Sequence, residues 1–348
     1  MSVKVSVLGH FGGGENLLNG QTVKTKIITE ELQNQLGREQ VLTIDTHGGA
    51  KTLLKAPFQV LHALKKSKNV LIFPAHNGLR VYAPLLSFFN HFFGRKLHYV
   101  VIGGWLPQFL TKRKGLAKIL KNFDGIYVET NTMKTALEAQ GFDNVFVMPN
   151  CKKLTVLSED ELVYPDGVPY RLCTFSRVMR EKGIEDAVNA VETVNREMGS
   201  TVFALDIYGQ VDSAQIEWFG ELQSKFPPFI RYGGLIPFDK SVDVLKECFA
   251  LLFPTYYEGE GFAGTLIDAY SAGVPVIASD WKYNTEIVNE NVGYVYKTRD
   301  HIALAELLKV VATDPTIMLK KRRSCLREAE KYKIEKAVGV LFDRIEGD

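Results

Sequence analysis

Short apolar runs rich in β-branched residues alternate with amphipathic stretches along almost the whole chain, and the alternation stops once and then starts again. Strands are expected at 3–8, 40–44, 70–74, 97–102, 125–129 and 145–148, with a helix over about 22–36 after a glycine-rich turn. A polar segment at 151–167, containing SEDELVYPDG, breaks the rhythm. Strands resume at 170–176, 203–208, 230–232, 250–253 and 274–278, with helices starting at Ile184 and near Thr265. A strand–helix rhythm of this kind predicts parallel sheets covered by helices. Its restart after a break predicts two similar α/β domains, 1–155 and 156–325, which suits a length of 348 residues. A helical, highly charged tail at 326–348 follows. Its apolar spacing at Ala337, Val340, Leu341 and Ile345 allows packing on either domain.

Charge divides the chain unevenly. Residues 1–150 carry 18 Lys and Arg against 9 Asp and Glu, and residues 151–348 carry 24 against 31, so a half at +9 is joined to a half at −7. A basic half suits an anionic ligand or surface, although two solvated faces of different composition leave the same imprint. The segment from Phe109 to Phe123, FLTKRKGLAKILKNF, sets Lys112, Arg113, Lys114, Lys118 and Lys121 beside Leu110, Leu116, Ile119 and Leu120. It reads as a basic amphipathic helix suited to an anionic lipid surface such as the inner face of the cell membrane. A core helix with a basic outer face has the same pattern. No partner role for nucleic acid is expected. The longest apolar stretch, 81–93, is broken by Pro84, Asn90 and His91, so no transmembrane helix is expected. Cys151, Cys173, Cys248 and Cys325 are scattered without metal-ligand or disulfide spacing, which fits free thiols in a cytoplasmic protein.

Three constellations carry chemistry. Gly12, Gly13 and Gly14 follow the first strand, where turn amides can hold an anionic group. The spacing is not the dinucleotide fingerprint, and Asp45 is the nearest candidate for its acidic residue. A simple tight turn is the competing reading. Arg177 and Lys182 lie five residues apart at the end of a strand, where two cations suit a diphosphate. A pair of solvated charges fits the spacing as well. The third constellation is PTYYEGEGFAGTLIDAYSAGVPVIASD, an acidic glycine-rich loop running into a helix. Here Glu260 precedes the amides of Gly261, Phe262, Ala263, Gly264 and Thr265, and Asp268 lies within the helix. A helix N-terminus favours a diphosphate. Carboxylates beside a phosphate site make sense when they bind hydroxyls, which sugars and ribose supply. An N-capping acid and a solvated helix acid are the alternative.

Glu260 to Asp268 resembles the Glu–seven residues–Glu motif of the family-four retaining glycosyltransferases, which have the GT-B fold. Arg177 and Lys182 fall where that family places its diphosphate-binding pair. Val147 to Asn150 is similar to the segment that ends the family's first domain. Tyr208-Gly209 resembles its short glycine turn, and IRYGGLIP, with Leu235 and Ile236, resembles the strand and loop that pack on the nucleobase. Thr285 to Val288 followed by Gly293 resembles its Glu-Ile-Val element. Gly12 to Gly14 with the helix from Gln21 resembles its acceptor-side glycine loop. GQTVKT is similar to members that assemble bacterial surface polysaccharide. The chain departs from the pattern at three places. Asp268 is one methylene shorter than Glu, and Ala263 stands where Gly is usual. Gly103-Gly104-Trp105 stands where many members have a His; His76 offers a neighbouring role there or a purely structural one.

The resemblance implies an α/β chain of two Rossmann-like domains with parallel sheets facing across a cleft. It implies a hexosyl-type transfer with retention, from a nucleotide-sugar donor to a glycan or lipid-linked glycan acceptor. No metal and no cofactor are expected, since Arg177 and Lys182 neutralise the leaving diphosphate. Glu260 is expected on the donor sugar and Asp268 on the ribose. A GT-B nucleotide-sugar 2-epimerase and a non-catalytic nucleotide-sugar-binding protein are the alternatives; conversion of donor without acceptor, or binding without turnover, distinguishes them. A nicotinamide-dependent oxidoreductase is disfavoured by the missing fingerprint.

Overall fold

A computed structural model describes residues 3–15, 20–153 and 155–347, with the backbone alone at 50, 51 and 238. The chain forms two compact units, Met1–Lys153 with Lys333–Asp348, and Leu154–Tyr332.

In the first unit, β1 (Val3–Gly9), β2 (Val41–Asp45), β3 (Ser67–Ile72), β4 (Lys96–Val100), β5 (Gly125–Val128) and β6 (Val145–Val147) form one sheet in the order β2-β1-β3-β4-β5-β6. All pairings are parallel. The strands read as near-continuous apolar runs because both faces are covered. The connections are α1 (Gly20–Leu36), α2 (Ala50–Leu53), α3 (Ala56–Lys66), α4 (His76–Asn90), α5 (Leu106–Thr111), α6 (Lys114–Leu120) and α7 (Asn131–Glu138). In the second unit, β7 (Tyr170–Phe175), β8 (Phe203–Tyr208), β9 (Ile230–Gly234), β10 (Ala250–Phe253), β11 (Val276–Ser279) and β12 (Gly293–Tyr296) form a parallel sheet ordered β12-β11-β10-β7-β8-β9. One core lies under α8 (Ile184–Glu197) and α13 (His301–Thr313), where Ala187, Val191, Leu304 and Leu308 meet Leu205 and Ile277. Another core lies under α10 (Ser241–Leu245), α11 (Gly264–Ser271) and α15 (Arg322–Ala329). The shorter α9 (Ile216–Gln223), α12 (Asn284–Ile287) and α14 (Thr316–Leu319) complete this unit.

The expected strands are present with ends shifted by a few residues; β12 was not among them. Two helical expectations change. The segment 109–123 is not one helix: α5 ends at Thr111, and α6 begins at Lys114. Arg113 leaves helical geometry (φ −137°, ψ 59°) and lays its guanidinium over the Phe109 ring, 3.8 Å from the centroid. Leu110, Leu116 and Leu120 are buried, while Lys112, Lys114, Lys118 and Lys121 are exposed. The tail is likewise divided. Cys325, Leu326 and Ala329 belong to the second core. Lys333 is extended and bridges Lys152 in parallel, after which α16 (Ile334–Ala337) and α17 (Gly339–Glu346) bring Ile334, Ala337, Val338, Leu341, Phe342 and Ile345 into the core of the first unit, against Val5, Val7, Leu71 and Val100.

A polar network crosses the first unit. His98, fully buried on β4, contacts the Tyr127 hydroxyl at 3.0 Å and Asn69 Oδ1 at 3.1 Å. The Asn69 amide donates to the carbonyls of Lys4 (3.1 Å) and Ile345 (3.4 Å), tying α17 to the sheet. Burial pushes the His98 imidazole down to about 4, with Lys96 and Arg344 adding to the shift.

Candidate functional site

Because β10, β7, β8 and β9 are parallel neighbours, the loops after their C-terminal ends share one edge of the sheet. In such sheets that edge is where ligands bind. Arg177 and Lys182 follow β7, Gly209 follows β8, Leu235 and Ile236 follow β9, and the Glu260 loop with α11 follows β10.

Lys182 and Glu260 meet directly. The Lys182 ammonium donates to Glu260 Oε2 at 2.5 Å, with side chains 11% and 8% exposed. Thr255 Oγ1 donates to the same oxygen at 2.8 Å. The loop is fixed behind them by Tyr256 N–H donating to the Glu181 carbonyl at 2.8 Å. Gly183, left-handed at φ 69°, makes this approach possible: a Cβ there would stand 2.1 Å from the Pro254 carbonyl oxygen. Two opposite charges held this far from water are stable only as a pair, so each fixes the other.

Next to this pair α11 begins without a side-chain cap. Its N-cap residue is Ala263, and Thr265 Oγ1 in the first turn is buried with no hydrogen-bond partner among the described residues. First-turn amides lack helical acceptors, and the helix dipole places partial positive charge there. Gly261 and Phe262 are buried on the approach, with Phe262 edge-on to Tyr332 at 4.7 Å. Asp268 is 2% exposed and accepts from Ser241 Oγ at 3.3 Å.

Arg177 is 54% exposed and pairs with Asp212 Oδ2 at 3.2 Å. The Ala214 amide and then Arg177 hold the Asp212 carboxyl below the usual carboxylate range. Gly209 is a position for glycine alone: φ is 134°, and a Cβ would lie 1.8 Å from the Ser176 carbonyl oxygen. Leu235 is 59% exposed beyond β9, and Ile236 is half-buried. The structure therefore joins Lys182 to Glu260 and sets Arg177 with Asp212. Thr255, Asp212 and Ser241 escaped the sequence reading, because a lone hydroxyl or loop acid at a strand end carries no spacing signal.

In the first unit, β2, β1, β3 and β4 likewise bring their C-terminal loops to one edge. Gly12, Gly13 and Gly14 all have positive φ, and the loop closes on a carboxylate from its own unit. Asp45 accepts from the amides of Phe11 (2.9 Å), Gly13 (2.7 Å) and His47 (2.8 Å). Burial pushes this carboxyl up, but the three amides outweigh it and hold it below its ordinary value. The Gly13 amide, expected to face a ligand anion, is thus already occupied. His10 Nε2 lies 2.9 Å from His47 Nδ1, and His10 Nδ1 lies 2.7 Å from Thr22 Oγ1. Burial, then the neighbouring His47, lowers the His10 pKa. His76 starts α4 and lies against Trp105 with ring centroids 3.9 Å apart, just beyond Gly103 and Gly104. Burial and Arg113 lower its pKa.

Residues 165–332 match the family model described as Glycosyl transferases group 1. The match takes in nearly all of the second unit. A curated relative, the GtfA subunit of UDP-N-acetylglucosamine–peptide N-acetylglucosaminyltransferase from Streptococcus gordonii, is 29% identical over 202 residues. That match takes in 54% of this chain and 38% of the relative's length. Among solved structures, sucrose-phosphate synthase from Thermosynechococcus elongatus superposes with a TM-score of 0.76 at 16% identity, covering 98% of this chain and 97% of the other. HepE from Anabaena, solved with UDP and glucose, gives 0.73 at 13% identity and covers 99% of each chain. At such identities the likeness is one of fold, and the fold is GT-B: two Rossmann-like units, each with a six-stranded parallel sheet.

Proposed function

We propose that the chain is a retaining glycosyltransferase that moves a sugar from a nucleotide-sugar donor to a glycan or lipid-linked glycan acceptor, in the synthesis of bacterial surface polysaccharide or glycoconjugate. The observation that carries this reading is the Lys182–Glu260 contact beside the uncapped start of α11, at the ligand-binding edge of a parallel sheet. Arg177 and Lys182 would neutralise the donor diphosphate, and the first amides of α11 with Thr265 would bind its oxygens. Negative charge grows on that group as the anomeric C–O bond breaks, so donors already in place stabilise the transition state. Glu260 would exchange part of its bond to Lys182 for donor-sugar hydroxyls. Asp268 would take the ribose hydroxyls, Leu235 and Ile236 the base, and Gly209 lets the backbone approach closely. The edge of the first unit, with Gly12 to Gly14, His76, Gly103 and Gly104, is the acceptor side. The bond formed joins the anomeric carbon to an acceptor oxygen, and the acceptor proton leaves with the nucleoside diphosphate.

The names of the relatives favour UDP-linked sugars as the first donors to test. The experiment is calorimetric titration with UDP, followed by transfer assays with UDP-sugars. Arg177→Ala is expected to weaken UDP binding by about 1.5–3 kcal/mol, the worth of a charged hydrogen bond. Lys182→Ala is expected to do the same, with thermal unfolding run alongside because Glu260 loses its buried partner. Wild-type UDP affinity in both variants overturns the reading. Transfer is expected to persist in excess chelator, because the two cations supply the charge a metal would otherwise provide.

A further inference from the structure

We propose that the face of the first unit built from α3, α4 and α6 docks on an anionic lipid bilayer. Between Asp45 and Asp124 the chain contains thirteen Lys and Arg and not one Asp or Glu. This acid-free stretch spans α2 to α6, and α4 packs against both α3 and α6. The face therefore carries positive charge with no carboxylate of its own to offset it. Lys65, Lys66, Arg80, Lys114 and Lys118 on these helices are exposed, as are Lys55, Lys68 and Lys112 in the same stretch.

The same stretch contains the four most exposed large apolar side chains among the described residues: Leu54 (80%), Phe58 (76%), Phe92 (72%) and Phe88 (65%). Phe88 and Phe92 form an aromatic turn at the end of α4, with ring centroids 6.3 Å apart and Phe89 packed 5.2 Å from Phe88. Arg95 donates from Nε to the Leu64 carbonyl at 3.1 Å, which sets the basic end of α3, Lys65 and Lys66, beside that turn. On the other flank Arg80, Pro84 and Phe88 recur every four residues along one stripe of α4. Arg80 and Pro84 line an open cavity of about 280 Å³ with Arg113, Leu116 and Ile119, an apolar floor with guanidinium rims. Exposed phenylalanines between cations are costly in water, whereas at a bilayer the rings enter the interface and the cations meet anionic headgroups. The charge selects an anionic bilayer over a protein groove or a second copy of this basic face.

This surface belongs to the first unit and the donor residues to the second, and its test does not depend on catalysis. Flotation with vesicles of phosphatidylcholine alone, or mixed with phosphatidylglycerol, is the measurement. Binding is expected only to the anionic vesicles and is expected to fall steeply as salt rises. Each of Lys65→Glu, Lys66→Glu and Lys118→Glu is expected to weaken binding by about fivefold or more, the equivalent of one surface charge. The double variant Phe88→Ser, Phe92→Ser is expected to remove most of it. All five side chains are exposed, so thermal unfolding and UDP binding should match the parent protein. Absence of binding to anionic vesicles, equal binding to neutral ones, or parental binding by both classes of variant overturns the proposal. So does displacement by duplex DNA at equal charge concentration with no effect of the phenylalanine changes, which would mark a general polyanion surface.

Discussion

At the scale of single residues, the two acids of the second unit have unlike surroundings. Glu260 is held by a cation and a hydroxyl on one oxygen, and Asp268 by a serine from α10. Interactions strengthened in the transition state change kcat, whereas binding shared with the ground state changes KM. Glu260→Gln is therefore expected to lower kcat by about 10²-fold or more, a loss in the range of roughly 2.7–4 kcal/mol seen for such groups. Asp268→Asn is expected chiefly to raise the donor KM. Steady-state kinetics at saturating acceptor check both, and the opposite split would reverse the assignment. The spacing from Glu260 to Asp268 and the Arg177–Lys182 interval marked these residues as candidates in the sequence. Asp212 and Thr255 were not readable, since their importance arises from which charge they meet across the fold. The carboxylate of Asp45 was noticed as a failed fingerprint, but its closure of the glycine loop needs three amides brought together by two strands.

At the scale of elements, the position of Lys182 depends on a turn rather than on a helix. Gly183 ends that turn with left-handed φ and contacts the strand-end Pro254 so closely that any Cβ must move the loop carrying Thr255 and Glu260. Gly183→Ala is expected to weaken UDP binding and transfer together, while far-ultraviolet circular dichroism stays close to that of the parent. A variant with unaltered UDP affinity would show that the turn does not set the site. The parallel strands were legible because strands covered on both faces are apolar throughout and bounded by turns. The 109–123 segment misled for a different reason. Periodicity alone does not show that the backbone leaves helical geometry at Arg113, which divides the segment into two short helices.

At the scale of the whole molecule, one buried base makes a large contribution to the response to acid. His98 stays neutral in the fold, where its pKa is about 4, against about 6.5 in an unfolded chain. Its contribution to stability is fully present above about pH 6.5. That contribution is lost as pH falls toward 4, because the unfolded state then takes up a proton that the folded state refuses. The loss approaches about 3 kcal/mol. His98→Gln is expected to narrow the difference in unfolding midpoint between pH 7.5 and pH 5, measured by thermal denaturation against the parent. An unchanged difference would assign the acid response elsewhere. Removing residues 333–348 is expected to have a regional effect. It strips Ala337 and five larger apolar side chains, Ile334, Val338, Leu341, Phe342 and Ile345, from the core of the first unit; each of the five is worth about 1.5–3 kcal/mol, and together they match or exceed the margin of an ordinary domain. Hydrogen exchange is expected to show β1 to β6 losing protection while β7 to β12 keep theirs; uniform loss would contradict it.

The return of the chain to its first unit also has a consequence for biosynthesis. The ribosome delivers β1 to β6 first, but the helices that close their core come from 333–348, after the entire second unit. At translation rates of roughly 5–20 residues per second, the nascent first unit waits on the order of 10–40 s for its last side chains. During that interval Val5, Val7, Leu71 and Val100 lack part of their cover. The second unit is contiguous in the chain and suffers no such delay. The part translated second is therefore the part able to mature first, and the basic unit is the one exposed to chaperones while it waits.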